Sequence, residues 1–245
     1  MQLFRSILAV LAACGMLFCT ASPARTQSLD ISHADQAVLD IAQAYKQRDL
    51  KRMASLLSAT RGSLLEPWAA YWELSARLDT ASKAEIEGFL ARWAGSYQED
   101  RLRADWLMQL GRNREWSAVR QQFGQYRMGD DRAIACYGLW SDWQATGADV
   151  AAQVQDLWLA QREPDEACAG VAEELLKAKK MPGQTAWVRA RLGMENDRLK
   201  VSTQAVGALN EKWVKTVNAI YLNPGAMGRL LGTEYPARPG IQIRD

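Results

Sequence analysis

The chain has 245 residues, 48% of them apolar by type and 24% charged, with a formal net charge of +2. It is long and apolar enough to bury a sizeable core, which excludes a disordered or fibrous chain. No run of like charges exceeds a few residues, so no nucleic-acid partner is implied.

The N-terminus, MQLFRSILAVLAACGMLFCTASPARTQS, places Arg5 before an apolar stretch from Ser6 to Phe18, then small residues and a proline through Ala24. Residues 1–24 read as a secretory signal peptide, too short for a comfortable membrane span, with Ser22 and Ala24 small at the two positions that favour cleavage after Ala24. Leu11-Ala12-Ala13-Cys14 also resembles a bacterial lipoprotein box, which would instead place a lipid on Cys14. Removing the signal deletes Cys14 and Cys19 and leaves Cys136 and Cys168. In an oxidising compartment two cysteines are most simply read as one disulfide, with two buried free thiols as the alternative. Closing that loop would stabilise the fold by about 3 to 4 kcal/mol on the chain-entropy model.

Between the signal region and Pro164 the only proline is Pro67, and no stretch alternates apolar and polar as a half-buried strand would, so the chain reads as all-α. Helical spacing marks His33 to Gln47, then Leu50 to Leu57 with Asp49 as N-cap. Arg61 and Gly62 break the pattern, and Pro67 opens PWAAYWELSARL with Trp68, Tyr71, Trp72 and Leu78 at helical spacings. Ser82-Lys83-Ala84-Glu85 is a capping box for a helix through Trp93 that closes at Gly95. EDRLRADWLMQL, residues 99–110, puts Leu102, Trp106 and Leu110 on one face; Gly111 is read as its stop and Asn113 as the cap of a partner carrying Trp116, Val119 and Phe123. The pattern returns with Ile134 to Ala145, Thr146-Gly147 and Val150 to Ala160, then with Ala167 to Lys180, Pro182-Gly183 and Trp187 to Leu192. Segments Arg198 to Val206 and Glu211 to Leu222 complete about six pairs.

Gly111, Gly147 and Gly183 fall 36 residues apart between helix-like segments. Such spacing marks a right-handed α-solenoid of superhelical, TPR-like helix pairs, because one pair cannot bury its own apolar face and must stack on its neighbours. The expected organisation is a signal at 1–24, a superhelical domain at 25–223 and an irregular tail at 224–245, where Gly225, Gly228, Gly232, Pro236, Pro239 and Gly240 crowd together. Charge is uneven along it. Residues 25–170 carry 17 basic and 21 acidic side chains, a net of −4, and residues 171–245 carry 12 and 7, a net of +5. The basic third either faces an anionic polymer or is a solvated helical surface.

Little in the chain reads as catalytic. His33 is the only histidine and sits on a helix surface. Two cysteines and one histidine without close spacing make no metal site, and there is no strand-borne phosphate loop, so neither metal nor cofactor is expected. Asp130-Asp131 reads as a turn or cap and Glu173-Glu174 as a solvated face. Ten tryptophans suit either a core or sugar stacking. Trp72, Trp93, Trp106, Trp116, Trp140, Trp158 and Trp187 fall mostly at inward positions, and Trp143 is the first sugar-binding candidate.

Three stretches resemble the superhelical, U-shaped region of the soluble lytic murein transglycosylases: LLEPWAAYWELSARL at 64–78, RLRADWLMQLGRNREWSAV at 101–119, and the block from Cys136 through LWSDWQATG and VQDLWLAQREPDEAC to Cys168. The last block resembles that family's disulfide-tied helix pair, so the resemblance pairs Cys136 with Cys168. It also implies a periplasmic protein whose partners are peptidoglycan glycan strands. The family's lyase reaction cleaves between N-acetylmuramic acid and N-acetylglucosamine, leaving a 1,6-anhydro end, through a glutamate followed by serine in a lysozyme-like domain. None of the 13 glutamates here is followed by serine. Leu107-Met108-Gln109 echoes a catalytic-domain motif but lacks its preceding glycine and lies in a solenoid helix. No catalytic residue carries over, and the resemblance implies the scaffold half of such an enzyme, a truncated or frameshifted product inactive by itself, positioned beside a separate catalytic domain or envelope proteins. The alternative is a TPR-like periplasmic adaptor between proteins.

Overall fold

A computed structural model describes residues 31–223. Among them the chain forms α1 (His33–Lys46), α2 (Leu50–Leu56), a 3-10 turn (Leu57–Thr60), α3 (Glu66–Ala76), α4 (Lys83–Arg92), α5 (Tyr97–Arg112), α6 (Trp116–Phe123), α7 (Arg132–Thr146), α8 (Ala151–Ala160), α9 (Glu166–Lys177), α10 (Gly183–Glu195), α11 (Leu199–Gly207) and α12 (Lys212–Leu222), with no strand. The chain is all-α. The signal at 1–24 and the tail at 224–245 lie outside the described residues.

The helix starts follow local chemistry. Asp49 accepts from the Arg52 N–H, Ser82 and Glu85 form a reciprocal capping box, and Ser96, Asp131 and Asp165 each satisfy a first-turn N–H. Pro67 sits in the first turn of α3, where its missing N–H costs nothing.

The ends follow a rule that the glycine spacing did not reveal. Arg48, Arg114, Lys179 and Asp197 all adopt left-handed backbone, with φ between 57° and 59°. The next residue's N–H in each case reaches the carbonyl five residues back: Asp49 to Ala44 at 2.9 Å, Glu115 to Leu110 at 2.9 Å, Lys180 to Leu175 at 2.8 Å and Arg198 to Gly193 at 2.8 Å. These are four Schellman turns, and charged residues occupy the position usually given to glycine. Gly147 ends α7 at φ 69°, as its sequence context predicts. Gly111 does not stop a helix: α5 continues to Arg112. Asn113 lies at the C-terminal end of α5, and the N-cap of α6 is Glu115. Gly183 opens α10 rather than sitting in a turn, so that helix begins a full turn earlier than its aromatic pattern suggests.

Packing places α1 on α3, α3 on α5, α5 on α7 and α7 on α9, a stacked row with α2, α4, α6 and α8 beside it; α10 then packs on α8 and α11, and α11 on α12. Each helix thus buries its apolar stripe against near neighbours in sequence, as an α-solenoid requires. The large core runs from Tyr71 to Val217, while a small one gathers Val38, Ile41, Ala44, Met53 and Ala69. Trp72 packs against both.

Several glycines earn their places by close approach. A Cβ on Gly111 would lie 2.4 Å from the ring of Tyr137, one on Gly138 2.6 Å from Phe123, and one on Gly170 2.7 Å from Trp140. Rings from one helix fill notches in the next, which lets the backbones close up. Beside the last of these contacts, Cys136 and Cys168 are joined by a disulfide between α7 and α9, both fully buried, with Cα atoms 5.0 Å apart.

A buried polar network fixes the connection from α6 to α7. Asp100 accepts the N–H of Arg127 at 3.1 Å and of Met128 at 2.7 Å. Glu99 is bonded by Arg103 and, at 2.7 Å, by Arg127; Arg103 also bonds Gln122. Burial alone would push the Glu99 carboxyl up, but the two guanidinium groups hold it below its ordinary range.

Candidate functional site

The residues singled out by sequence scatter across the fold. His33 is exposed at the first position of α1. Asp131 caps α7 and Asp130 accepts from Tyr126 at 2.7 Å, while Glu173 and Glu174 pair with Lys177, so both carboxylate pairs hold the structural roles their positions predict. Among the described residues no group of three His, Cys, Asp or Glu side chains is placed to hold a metal ion.

Trp106, Trp140 and Trp158 are buried, and Trp72, Trp93, Trp116 and Trp143 pack half-buried against the core. Trp187 departs from the predicted inward position and is 41% exposed. Because α10 begins at Gly183, its inward stripe is Ala186, Arg189, Ala190 and Gly193, and Trp187 turns outward to meet Trp213 edge-on at 5.2 Å.

The feature that sequence reading missed is a row of aromatic rings across three stacked helices. Tyr45 from α1 stacks on Trp72 of α3 with centroids 6.2 Å apart; Trp72 meets Trp68, one turn earlier, at 5.6 Å; Trp68 meets Tyr97, at the start of α5, at 5.5 Å. Trp68 and Trp72 are half-buried, whereas Tyr45 is 36% and Tyr97 55% exposed. The two end rings belong to neither core cluster. Helical spacing makes the row: residues 68 and 72 are one turn apart on α3, and the stacking of α1, α3 and α5 brings in the flanking tyrosines.

Polar groups line the row at its α5 side. Tyr97, Arg101 and Asp105 recur every fourth residue and so share one face of α5. The Tyr71 hydroxyl donates to Asp105 Oδ2 at 2.8 Å, and Arg101 Nε donates to the same hydroxyl at 3.4 Å. Burial raises the Asp105 carboxyl above its ordinary value, against the opposing Tyr71 bond and Arg101 charge. Burial likewise pushes the Tyr71 hydroxyl up to about 12. An aromatic face next to a hydrogen-bonding edge suits a ligand that is apolar on one side and polyhydroxylated at its rim.

A second feature lies where the basic third meets the end of α8. A cleft of about 440 Å³ between α8, α10 and α11 is lined in part by Arg162, Arg189 and Arg198. Its guanidinium groups are largely committed: Arg189 bonds the carbonyls of Gln161 and Glu163, and Arg198 pairs with Glu163. This cleft therefore reads as an anchored loop.

The architecture and surface together define a class, an all-helical solenoid with a half-exposed aromatic row. No protein-family model matches the sequence, and no curated protein matches it. Among solved structures the chain is similar to the 70-kDa soluble lytic transglycosylase, in its complex with bulgecin A, at 16% identity and a TM-score of 0.58. The similarity covers 79% of this chain and 32% of that one, so this chain spans about a third of that protein's length. At that identity the likeness is one of fold. The helical architecture expected from the family resemblance is present; none of the described helices is long and apolar enough to cross a membrane.

Proposed function

We propose that this chain is a periplasmic superhelical scaffold that takes part in peptidoglycan turnover by seating glycan strands rather than cutting them. The observation that carries the reading is the likeness of its stacked helices to the soluble lytic transglycosylase. The aromatic row supports it, because half-exposed rings beside Arg101 and Asp105 are chemically suited to sugar. The scaffold role, as against cleavage, draws on the glutamate census: none of the 13 is followed by the serine that accompanies the family's catalytic glutamate.

Co-sedimentation of the purified protein with peptidoglycan sacculi tests the proposal. The protein should pellet with sacculi and release no anhydromuropeptides. Failure to pellet, or release of anhydro ends, overturns the reading.

A further inference from the structure

We infer that Tyr45, Trp72, Trp68 and Tyr97 form a stacking platform for the pyranose rings of an N-acetylhexosamine chain, with Arg101 and Asp105 as its hydrogen-bonding edge. The inference rests on the glycan-scaffold reading and names the surface that would do the seating.

Three observations carry it. Rings that serve only as core are enclosed, yet this row leaves Tyr97 55% and Tyr45 36% exposed while their neighbours stay half-covered. The two exposed tyrosines are not isolated surface rings, because each is in ring contact with a half-buried tryptophan and the two tryptophans touch each other. Next, the rings follow one another at 5.5 to 6.2 Å between centroids, a run of adjoining aromatic surfaces rather than an isolated one. A pyranose presents its axial C–H groups on one face, weakly positive and apolar, which suits the negative face of an aromatic ring. Finally, the polar edge is already ordered. Tyr71 fixes Asp105 at 2.8 Å and takes Arg101 Nε at 3.4 Å, and Arg101 and Asp105 keep side-chain exposures of 45% and 30%. A carboxylate and a guanidinium held side by side can accept from hydroxyls and donate to an acetamido carbonyl without reorganising.

A peptide could also cover an aromatic surface, but the ordered acceptor and donor beside the rings favour a ligand with hydroxyls and amides around its rim. Tyr97 and Trp68 are the residues to test. Trp72 is left alone because it joins both core clusters.

Binding of the full protein to soluble N-acetylglucosamine oligomers and to sacculi is measured for the parent and for Tyr97→Ala, Tyr97→Phe, Trp68→Ala and Trp187→Ala. Each alanine variant on the row should weaken oligomer binding by roughly 2- to 10-fold, the range of one aromatic contact. Tyr97→Phe, which keeps the ring, and Trp187→Ala, which lies off the row, should bind as the parent does. A thermal melt of each variant confirms folding, and Tyr97→Ala, at an exposed site, keeps the test valid even if Trp68→Ala unfolds. If the parent binds sacculi and the row variants bind equally well, the platform is wrong and the scaffold reading survives. If the parent binds neither oligomers nor sacculi, the scaffold reading itself fails and takes the platform with it. If the row variants lose capture of an envelope protein while glycan binding is unchanged, the row is a protein contact and the inference is overturned.

Discussion

Between α5 and α9 three aromatic rings sit in notches of neighbouring helices, whereas a row of four, from α1, α3 and the start of α5, lines up ring against ring with its end members exposed. Tyr137, Phe123 and Trp140 each point at a glycine, Gly111, Gly138 and Gly170 respectively, and each ring occupies space that a Cβ would need. Neither α1 nor α3 contains a glycine. There Trp68 and Trp72 lie against the core on one side and against each other and their tyrosine neighbours on the other. Trp106 and Trp158 are buried with no glycine beneath them, so the notches set how closely particular helix pairs approach rather than which rings are core.

The largest test of that contrast is truncation of one ring from each region. Trp140→Ala, at 4% exposure, should cost about 3 to 5 kcal/mol in urea unfolding. Tyr97→Ala should stay within about 0.5 kcal/mol of the parent. Equal losses would erase the distinction. Replacing Cys136 and Cys168 together by alanine opens a link spanning 32 residues and should lower stability by about 3 to 4 kcal/mol on the chain-entropy model. That loss should be matched when the parent is unfolded under reducing conditions. Gly111→Ala follows: a methyl 2.4 Å from the Tyr137 ring should cost about 1 to 3 kcal/mol, despite the roughly 1 kcal/mol by which alanine ordinarily favours a helix. A stabilised variant would show that the notch is not needed.

The smallest effect is a pH dependence at the polar edge of the row. Burial raises the folded-state value of Asp105, so its charged form is disfavoured on folding and costs stability at pH above that value. The cost is relieved as pH falls through it. Asp105→Asn should accordingly be more stable than the parent at neutral pH, with the two denaturation curves converging on acidification. Divergence toward low pH would reverse the assignment.

Much of this was legible in the sequence, for reasons that separate local from tertiary information. Asp49 and the Ser82–Glu85 box are written within a few residues, and the structure uses both. The Cys136–Cys168 pairing followed from a short inventory and the family resemblance. Gly111 and Gly183 were misread because a glycine looks the same whether it breaks a helix or admits a neighbour. The turns at Arg48, Arg114 and Lys179 gave no signal at all, since a charged residue in left-handed backbone resembles any solvated side chain. The aromatic row was hidden for a related reason. Its members come from three helices, and Trp68 and Trp72 at one-turn spacing read as core, which they partly are; that Tyr45 and Tyr97 flank them depends on how α1, α3 and α5 stack. Trp143, the sugar candidate from its place near a turn, is half-buried against the large core, as Trp68 is, but among the described residues makes no ring contact with another aromatic side chain.

Trp72 has one more consequence. The cluster it shares with α1 and α2 has only five buried members, Val38, Ile41, Ala44, Met53 and Ala69, so α1 and α2 have less to lose by opening than the helices of the large cluster's centre. Trp72 ties it to the large cluster through a ring that also stands in the aromatic row. Any ligand laid across Tyr45 and Trp72 would clamp α1 onto α3. Occupancy would then be readable as slowed amide hydrogen exchange along α1, including turns that no ligand atom touches.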